Sequence, residues 1–157
     1  MRNSKAENVK IRPVSSWDIE TILSLHKKIG AKQSRVSYMI YQNFGGPNDF
    51  SLIAELGYKA VGFVIARLTY AYIPLVEICI VNGILVDPEY QRRQIGHKLV
   101  NELFNRCHKE NVDTIRALVD NKNIQLQKFV DSFGFQPSEI LNYDKTFKLK
   151  NNNNEKK

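Results

Sequence analysis

The run from Leu75 to Val86 reads L-V-E-I-C-I-V-N-G-I-L-V and stops at Asp87-Pro88. It is dense in β-branched residues, which are stiff at χ1 and pack well on a pleated surface, so it predicts a buried strand rather than a helix. After Pro88 the period changes. Leu99, Val100, Leu103, Phe104 and Cys107 make one apolar stripe, while Lys98, Asn101, Glu102, Asn105, Arg106 and Lys109 take the other side. That pattern predicts an amphipathic helix from about Arg93 to Lys109. A buried strand running through a short turn into such a helix leaves the chain few options. It must build a sheet with helices layered on it.

The remaining elements follow from local pattern. Val9, Ile11 and Val14 suggest a first strand ending near Pro13. Ser15 with Asp18 three residues on reads as a helix N-cap, and Ile19, Ile22, Leu23, His26 and Ile29 continue at helical spacing up to Gly30. A second, weaker helix is expected over Lys32 to Tyr41, and Gly45 to Asn48 reads as a loop. Ser51 to Leu56 and Ala60 to Leu68 flank Gly57-Tyr58, a hairpin signal. Thr114 to Val119 is expected as a strand. Asn123 to Phe133 is expected as a helix with Ile124, Leu126, Phe129, Val130 and Phe133 facing inward and Gly134 as its cap. Tyr143 to Leu149 alternates as a final strand. The order β-α-α-β-β-β-α-β-α-β-β implies an α/β (α+β mixed) fold: a mostly antiparallel sheet of about six to seven strands with helices on both faces.

The chain of 157 residues suits one domain, expected over residues 1–150, followed by the polar tail 151–157, N-N-N-N-E-K-K, which has no apolar residue to bury. Cys79 and Cys107 form no C-x-x-C pair, and His26, His97 and His108 show no ligand spacing, so neither a metal site nor a disulfide scaffold is expected. The N-terminus has no apolar run, and no stretch approaches the ~20 apolar residues of a membrane span. A cytoplasmic protein without membrane contact is the expectation. The formal charge of +7 fits polyanionic partners in general. A nucleic-acid reader is disfavoured, because no basic stripe with interleaved aromatics is present.

The segment Ile84 to Leu99 carries the chemistry. A helix start exposes N–H groups with no intrahelical partner, and the helix dipole adds partial positive charge there. Together they make a phosphate site. Arg92 and Arg93 put full charge beside it, and Gly96 removes a side chain where an anion must approach the backbone.

Val86-Asp87-Pro88 followed by Gln91, Ile95 and Gly96 at the opening of a helix resembles the acyl-CoA-binding motif of the GCN5-related N-acetyltransferase family. The run from Asn123 to Phe135, N-x-x-L-x-x-F-V-x-x-F-G-F, resembles the family's second signature, and the element order is the family's order. The resemblance implies acetyl-CoA as cosubstrate and no metal. Ile84, Leu85 and Val86 would line the pantetheine arm like an added strand, with a main-chain N–H polarising the thioester carbonyl. Gln91, Arg92, Arg93, Gln94, Ile95, Gly96 and His97 would wrap the pyrophosphate, and Asn123 would approach from the later helix. Lys98 shares the first turn with His97. Gly62 and Phe63, V-G-F in the hairpin, also resemble the family's pattern, with plain strand packing as the alternative.

Three departures from the family matter. Its first loop glycine is Gln94 here. The tyrosine that protonates the leaving thiolate in many members is matched by Val130, beside Phe129. The glutamate bases of different members are matched by Leu118 and Ile80. Glu77, Glu55 and Asp49 are carboxylates expected near the substrate side, Asn82 could order a water, and Tyr143 could donate a proton by residue type. Asn82, Glu77 and Tyr143 are thus the catalytic candidates. The expected activity is acetyl transfer from acetyl-CoA to an amine, whether a protein N-terminus, a lysine or a small amine, in a ternary complex. The early helices and the loops around Tyr38, Tyr41, Tyr70 and Tyr72 would line the acceptor site. The alternative is an acyl-CoA-binding regulatory module with little turnover. A homodimer stays open.

Overall fold

A computed structural model describes residues 8–30 and 44–147. The helix expected over 32–41 and the tail 151–157 lie outside them. The chain falls into two compact units, Met1–Asp120 and Asn121–Lys157.

In the first unit the elements are β1 (Val9–Pro13), a 3₁₀ turn (Ser16–Asp18), α1 (Ile19–Lys28), β2 (Leu52–Leu56), β3 (Lys59–Ala71), β4 (Val76–Val86), a second 3₁₀ turn (Pro88–Tyr90), α2 (Ile95–Lys109) and β5 (Ile115–Ala117). The five strands form one sheet in sequence order, β1-β2-β3-β4-β5. All pairs are antiparallel except β4 and β5, which run parallel across the α2 crossover. The expected mixed, mostly antiparallel sheet is present.

Helices cover opposite faces of the sheet. Ile95, Leu99, Leu103 and Cys107 of α2 pack with Leu52, Ala54, Val64, Ala66 and Cys79 on one face. Ile22, Leu23 and Leu25 of α1 pack with Ile53, Phe63, Ile65 and Leu85 on the other. The alternation of Val64, Ile65 and Ala66 between the two clusters is the two-residue period of a strand buried on both sides. Cys79 and Cys107 are both buried and unbridged. Each helps fill the α2 face, Cys107 as the stripe in the sequence implies.

Ser15 begins the expected helix, but through a 3₁₀ turn. Its N–H and hydroxyl both donate to Asp18 Oδ2, at 2.8 and 3.1 Å. Arg12 donates to both Asp18 oxygens at 2.8 Å and to Glu55 at 2.6 Å, tying that turn to β1 and β2. The Arg12 hydrogen bonds hold the Asp18 carboxyl below its ordinary range.

In the second unit, α3 spans Ile124–Asp131 and ends toward Gly134, whose φ is +81° and whose N–H donates to Asp131 O at 2.9 Å. The expected inward face is only partly sequestered. Leu126, Phe129, Val130 and Phe133 are half-buried, and Ile124 is exposed. The expected final strand over Tyr143–Leu149 is corrected for its described part, because residues 143–147 pair with no strand. Alternation sets side-chain direction, but a strand also needs a ladder partner. Tyr143 and Phe147 are exposed instead. Five strands among the described residues therefore replace the expected six to seven.

Candidate active site

The site is built where β4 outruns β5. The pairing of the two strands covers Cys79↔Ile115, Ile80↔Arg116 and Val81↔Ala117. The last rung is the Leu118 N–H on Val81 O at 3.3 Å. Beyond it, Asn82 to Val86 keep β3 on one side and have no β5 partner on the other.

A bulge decides what that open edge presents. Ile65 pairs with Gly83 and Ala66 with Val81, so Asn82 is the extra residue. The Cys79 N–H and the Val81 carbonyl bond the β5 side, whereas Asp87, past the bulge, donates its N–H to Val61 O in β3 at 2.9 Å. Main-chain groups of an extended strand alternate in direction. Leu85 therefore faces β3, and Ile84 and Val86 turn their N–H and C=O groups to the open edge. The Val86 carbonyl already takes the Gln91 side-chain amide there, at 3.2 Å. The side chains of Ile84 and Val86 pack on the α2 face, and Leu85 is buried on the α1 face.

The edge runs into a loop of alternating backbone handedness. Arg92 has φ +60° and Gln94 φ +63°, with Arg93 between them outside that region. Such alternation turns successive N–H groups toward one point. It also delays the helix, which starts at Ile95 rather than at the expected Arg93. The N–H of Lys98 is bonded to the Gln94 carbonyl at 3.0 Å. The N–H groups of Ile95 and Gly96 precede that first bond, so no helical carbonyl takes them. Arg92, Arg93 and Gln94 are exposed, Gly96 and His97 half-buried, and Ile95 buried in the core. Arg93 lies over the Tyr90 ring at 5.1 Å, and Lys59 approaches the same ring at 4.7 Å. The residue that replaces glycine thus keeps glycine's backbone conformation, which costs a side-chain-bearing residue about 1–2 kcal/mol.

This arrangement fits the chemistry of coenzyme A: paired amides along the arm meet an open strand edge, and a diphosphate meets convergent N–H groups beside two guanidiniums. Among the described residues, no group of three or more His, Cys, Asp or Glu could hold a metal ion.

The catalytic candidates fare differently. Asn82 lies at the bulge, at the apex of the open edge, and is exposed. Glu77 pairs with Tyr70 near the far end of β4. Its register puts it on the α2 face, five residues before Asn82, or about 16 Å of strand, so it does not approach the apex. Glu55 is committed to Arg12, and Asp49 accepts from the N–H groups of Gly45 and Ser51 at 2.8 and 3.0 Å. Tyr143 belongs to the second unit and is exposed. Asn123, also in that unit, caps α3, its Oδ1 accepting the Leu126 N–H at 3.0 Å. The His26 ring lies tilted against Phe63, centroids 5.2 Å apart, and burial lowers its pKa.

Two contributors escaped the sequence reading. Gly62 is more than strand packing: a Cβ there would meet the Leu85 carbonyl at 2.8 Å and Val86 Cα at 3.3 Å. It lets β3 lie close under the open edge. Asp87, read only as a strand end, is fully buried and paired with Lys28 at 2.6 Å. An acid beside a proline in a phosphate-loop segment was the available signal. Its partner 59 residues away had none.

The acetyltransferase (GNAT) family model matches residues 17–135. No relative among curated proteins matches the sequence. Among solved structures, aminoglycoside N-acetyltransferase AAC(6')-Iy in complex with CoA superposes with a TM-score of 0.76 at 17% identity, covering 88% of this chain and 95% of that one. The aminoglycoside 6'-N-acetyltransferase AAC(6')-Ih from Acinetobacter baumannii gives 0.74 at 20% identity, covering 89% and 99%. A possible acetyltransferase from Clostridium difficile 630 gives 0.74 at 18% identity, covering 90% and 99%. These likenesses establish a shared fold, and the family match extends over most of the described chain: the protein belongs to the GNAT family of acetyltransferases.

Proposed function

We propose that this protein moves the acetyl group of acetyl-CoA to an amine by direct transfer in a ternary complex, with residues 1–150 acting as one acyl-CoA-binding domain in the cytoplasm. The observation that carries the reading is the open edge of β4 running into the left-handed loop and the start of α2. In this reading Ile84 and Val86 pair through their main chains with the pantetheine amides, and Leu85 holds the strand against α1. Gln91 to His97 hold the pyrophosphate, with Arg92 and Arg93 supplying charge. Asn123 caps α3 in the second unit. The thioester then lies at the apex, beside Asn82.

The amine nitrogen attacks the thioester carbon, and the carbonyl oxygen takes the charge. A main-chain N–H at the open edge stabilises that oxyanion. The intermediate expels the thiolate of CoA, and the nitrogen loses a proton to water ordered at Asn82. The thiolate takes a proton from solvent. Holding both reactants in one cleft supplies much of the acceleration.

Calorimetry with acetyl-CoA, coupled to thiol release with a panel of amines, tests the reading. Affinity with amine-dependent release supports it. Affinity without release from any amine favours the regulatory module, for which Val130 and Leu118 in place of proton-transfer groups are the motivating observation. No affinity for CoA or its esters overturns both.

A further inference from the structure

The Val86 carbonyl is the last main-chain acceptor that the open edge offers before Asp87 turns its N–H back to Val61 of β3. It is already taken. The Gln91 carboxamide donates to it through Nε2 at 3.2 Å, reaching back over five residues. The turn between them places the donor there. Asp87 is fully buried, and its side chain and carbonyl accept the N–H groups of Glu89 and Tyr90 at 3.1 and 2.8 Å. Tyr90 packs against the α2 core, and its hydroxyl accepts from Lys59 at 3.1 Å. Gln91 follows in an extended conformation, φ −62° and ψ 161°, and Ile95 beyond it is buried. The main chain of Gln91 is thus held from both directions, and its side chain folds back across the strand end.

The bond does little for the fold. Gln91 is exposed. Water replaces a partner at an exposed amide at small cost, so losing this bond takes little from stability. It matters more to whatever adds to the edge. A chain that pairs with β4 as a further strand needs the groups that point away from β3, which are those of Ile84 and Val86. An added strand and the Gln91 amide therefore ask for the same oxygen from the same side.

We propose that the Gln91 side chain is a displaceable latch: in the empty protein its amide occupies the Val86 carbonyl, and an amide N–H of the pantetheine arm takes its place when coenzyme A binds. This rests on the acetyl-transfer reading above and adds a self-inhibitory contact to its cofactor site. The exchange swaps one neutral hydrogen bond for another, so the arm gains little at Val86. Without the latch, binding no longer breaks a bond, which changes Kd about 2- to 10-fold for a neutral hydrogen bond. The nucleotide half of coenzyme A does not compete for Val86, so its affinity is insensitive to the latch.

Calorimetry on the full chain tests this with two ligands, coenzyme A and 3′-phosphoadenosine 5′-diphosphate, the same nucleotide without the arm. Gln91→Met and Gln91→Ala are both expected to bind coenzyme A about 2- to 10-fold more tightly than the wild type, with the nucleotide unchanged. Equal or weaker coenzyme A binding in the variants overturns the proposal, as does an equal gain for the nucleotide. A parallel loss for both ligands would make Gln91 a residue that holds the diphosphate instead. Should neither variant fold, NMR on the wild type decides. The Gln91 side-chain amide signals should move toward solvent values with coenzyme A and not with the nucleotide, and the same response to both ligands overturns the latch. In each of these outcomes wild-type affinity for coenzyme A leaves the acetyl-transfer reading standing, whereas a wild type that does not bind coenzyme A brings down both.

Discussion

The ammonium of Lys28, in the last turn of α1, lies 2.6 Å from Oδ2 of Asp87, whose side chain is wholly buried at the end of β4. Asp87 Oδ1 accepts the Glu89 N–H at 3.1 Å, and its own N–H is bonded to Val61 O. One carboxylate thus joins α1, the sheet and the turn that leads into the loop before α2. Burial by itself would raise this carboxyl, but the Lys28 ammonium and the Glu89 N–H outweigh it and hold it below the ordinary carboxylate range.

Removing the ammonium should expose that cost. Lys28→Met leaves a buried carboxylate without its cation, an unpaired charge that costs about 1–3 kcal/mol or more. Thermal unfolding should show the loss at neutral pH, and Lys28→Arg should recover most of it. Calorimetry should show weaker CoA binding in Lys28→Met, because the turn that starts the loop is released.

Acid should act on the same kind of group at the other end of α1. Asp18 is depressed by its hydrogen bonds to Arg12. A carboxyl whose folded pKa lies below its unfolded value of about 3.9 stabilises fully above that value, and its contribution is lost as pH falls through the folded pKa. Asp18→Asn should lower stability by about 1–2 kcal/mol at pH 7, discounted for an Arg12 side chain that is 31% accessible. Below about pH 4 the wild type should lose stability more steeply than the variant. Denaturant melts at several pH values measure the two slopes, and equal slopes would sink the assignment.

Gln94 holds φ +63° in the loop before α2. Glycine adopts that region freely. Gln94→Gly should therefore raise stability by up to about 1 kcal/mol, or a few degrees in Tm for a chain of this size. CoA affinity should be equal or higher. Gln94→Val, β-branched at a positive φ, should lower both. Scanning calorimetry and CoA titration together check the pair.

Gly62 faces the opposite constraint. Its space is filled by the Leu85 carbonyl and Val86 Cα. Gly62→Ala should push β4 away from β3 and cost about 1–3 kcal/mol. Because the displaced segment is the open edge, the KM for acetyl-CoA should rise as well, whereas Gly83→Ala, where a Cβ meets nothing within 4 Å, should leave stability nearly unchanged.

The strand–turn–helix at Leu75 to Lys109 was legible because each part depends on neighbours close in sequence: β-branched density, a proline, then a 3.6-residue stripe. The structure gives Val76–Val86 and Ile95–Lys109. The late helix start was not legible, because nothing in Arg92 or Gln94 advertises a positive φ. The described part of the expected last strand failed for a related reason, since alternation at Tyr143 to Phe147 says nothing about a partner. Glu77, Glu55 and Asp49 looked alike as carboxylates. Only register and hydrogen bonding separate one on the wrong face from one held by Arg12 and one spent on loop N–H groups.

By sequence alone this chain determined its layered α/β class, its strand–turn–helix and its family, because those are written in local period and residue type. Tertiary structure decided that Asn82 bulges, that Ile84 and Val86 turn their main chain outward, and that Lys28 meets Asp87. A single extra residue in a strand reverses every direction beyond it, and partners dozens of residues apart meet only when loop closure and packing have set the register.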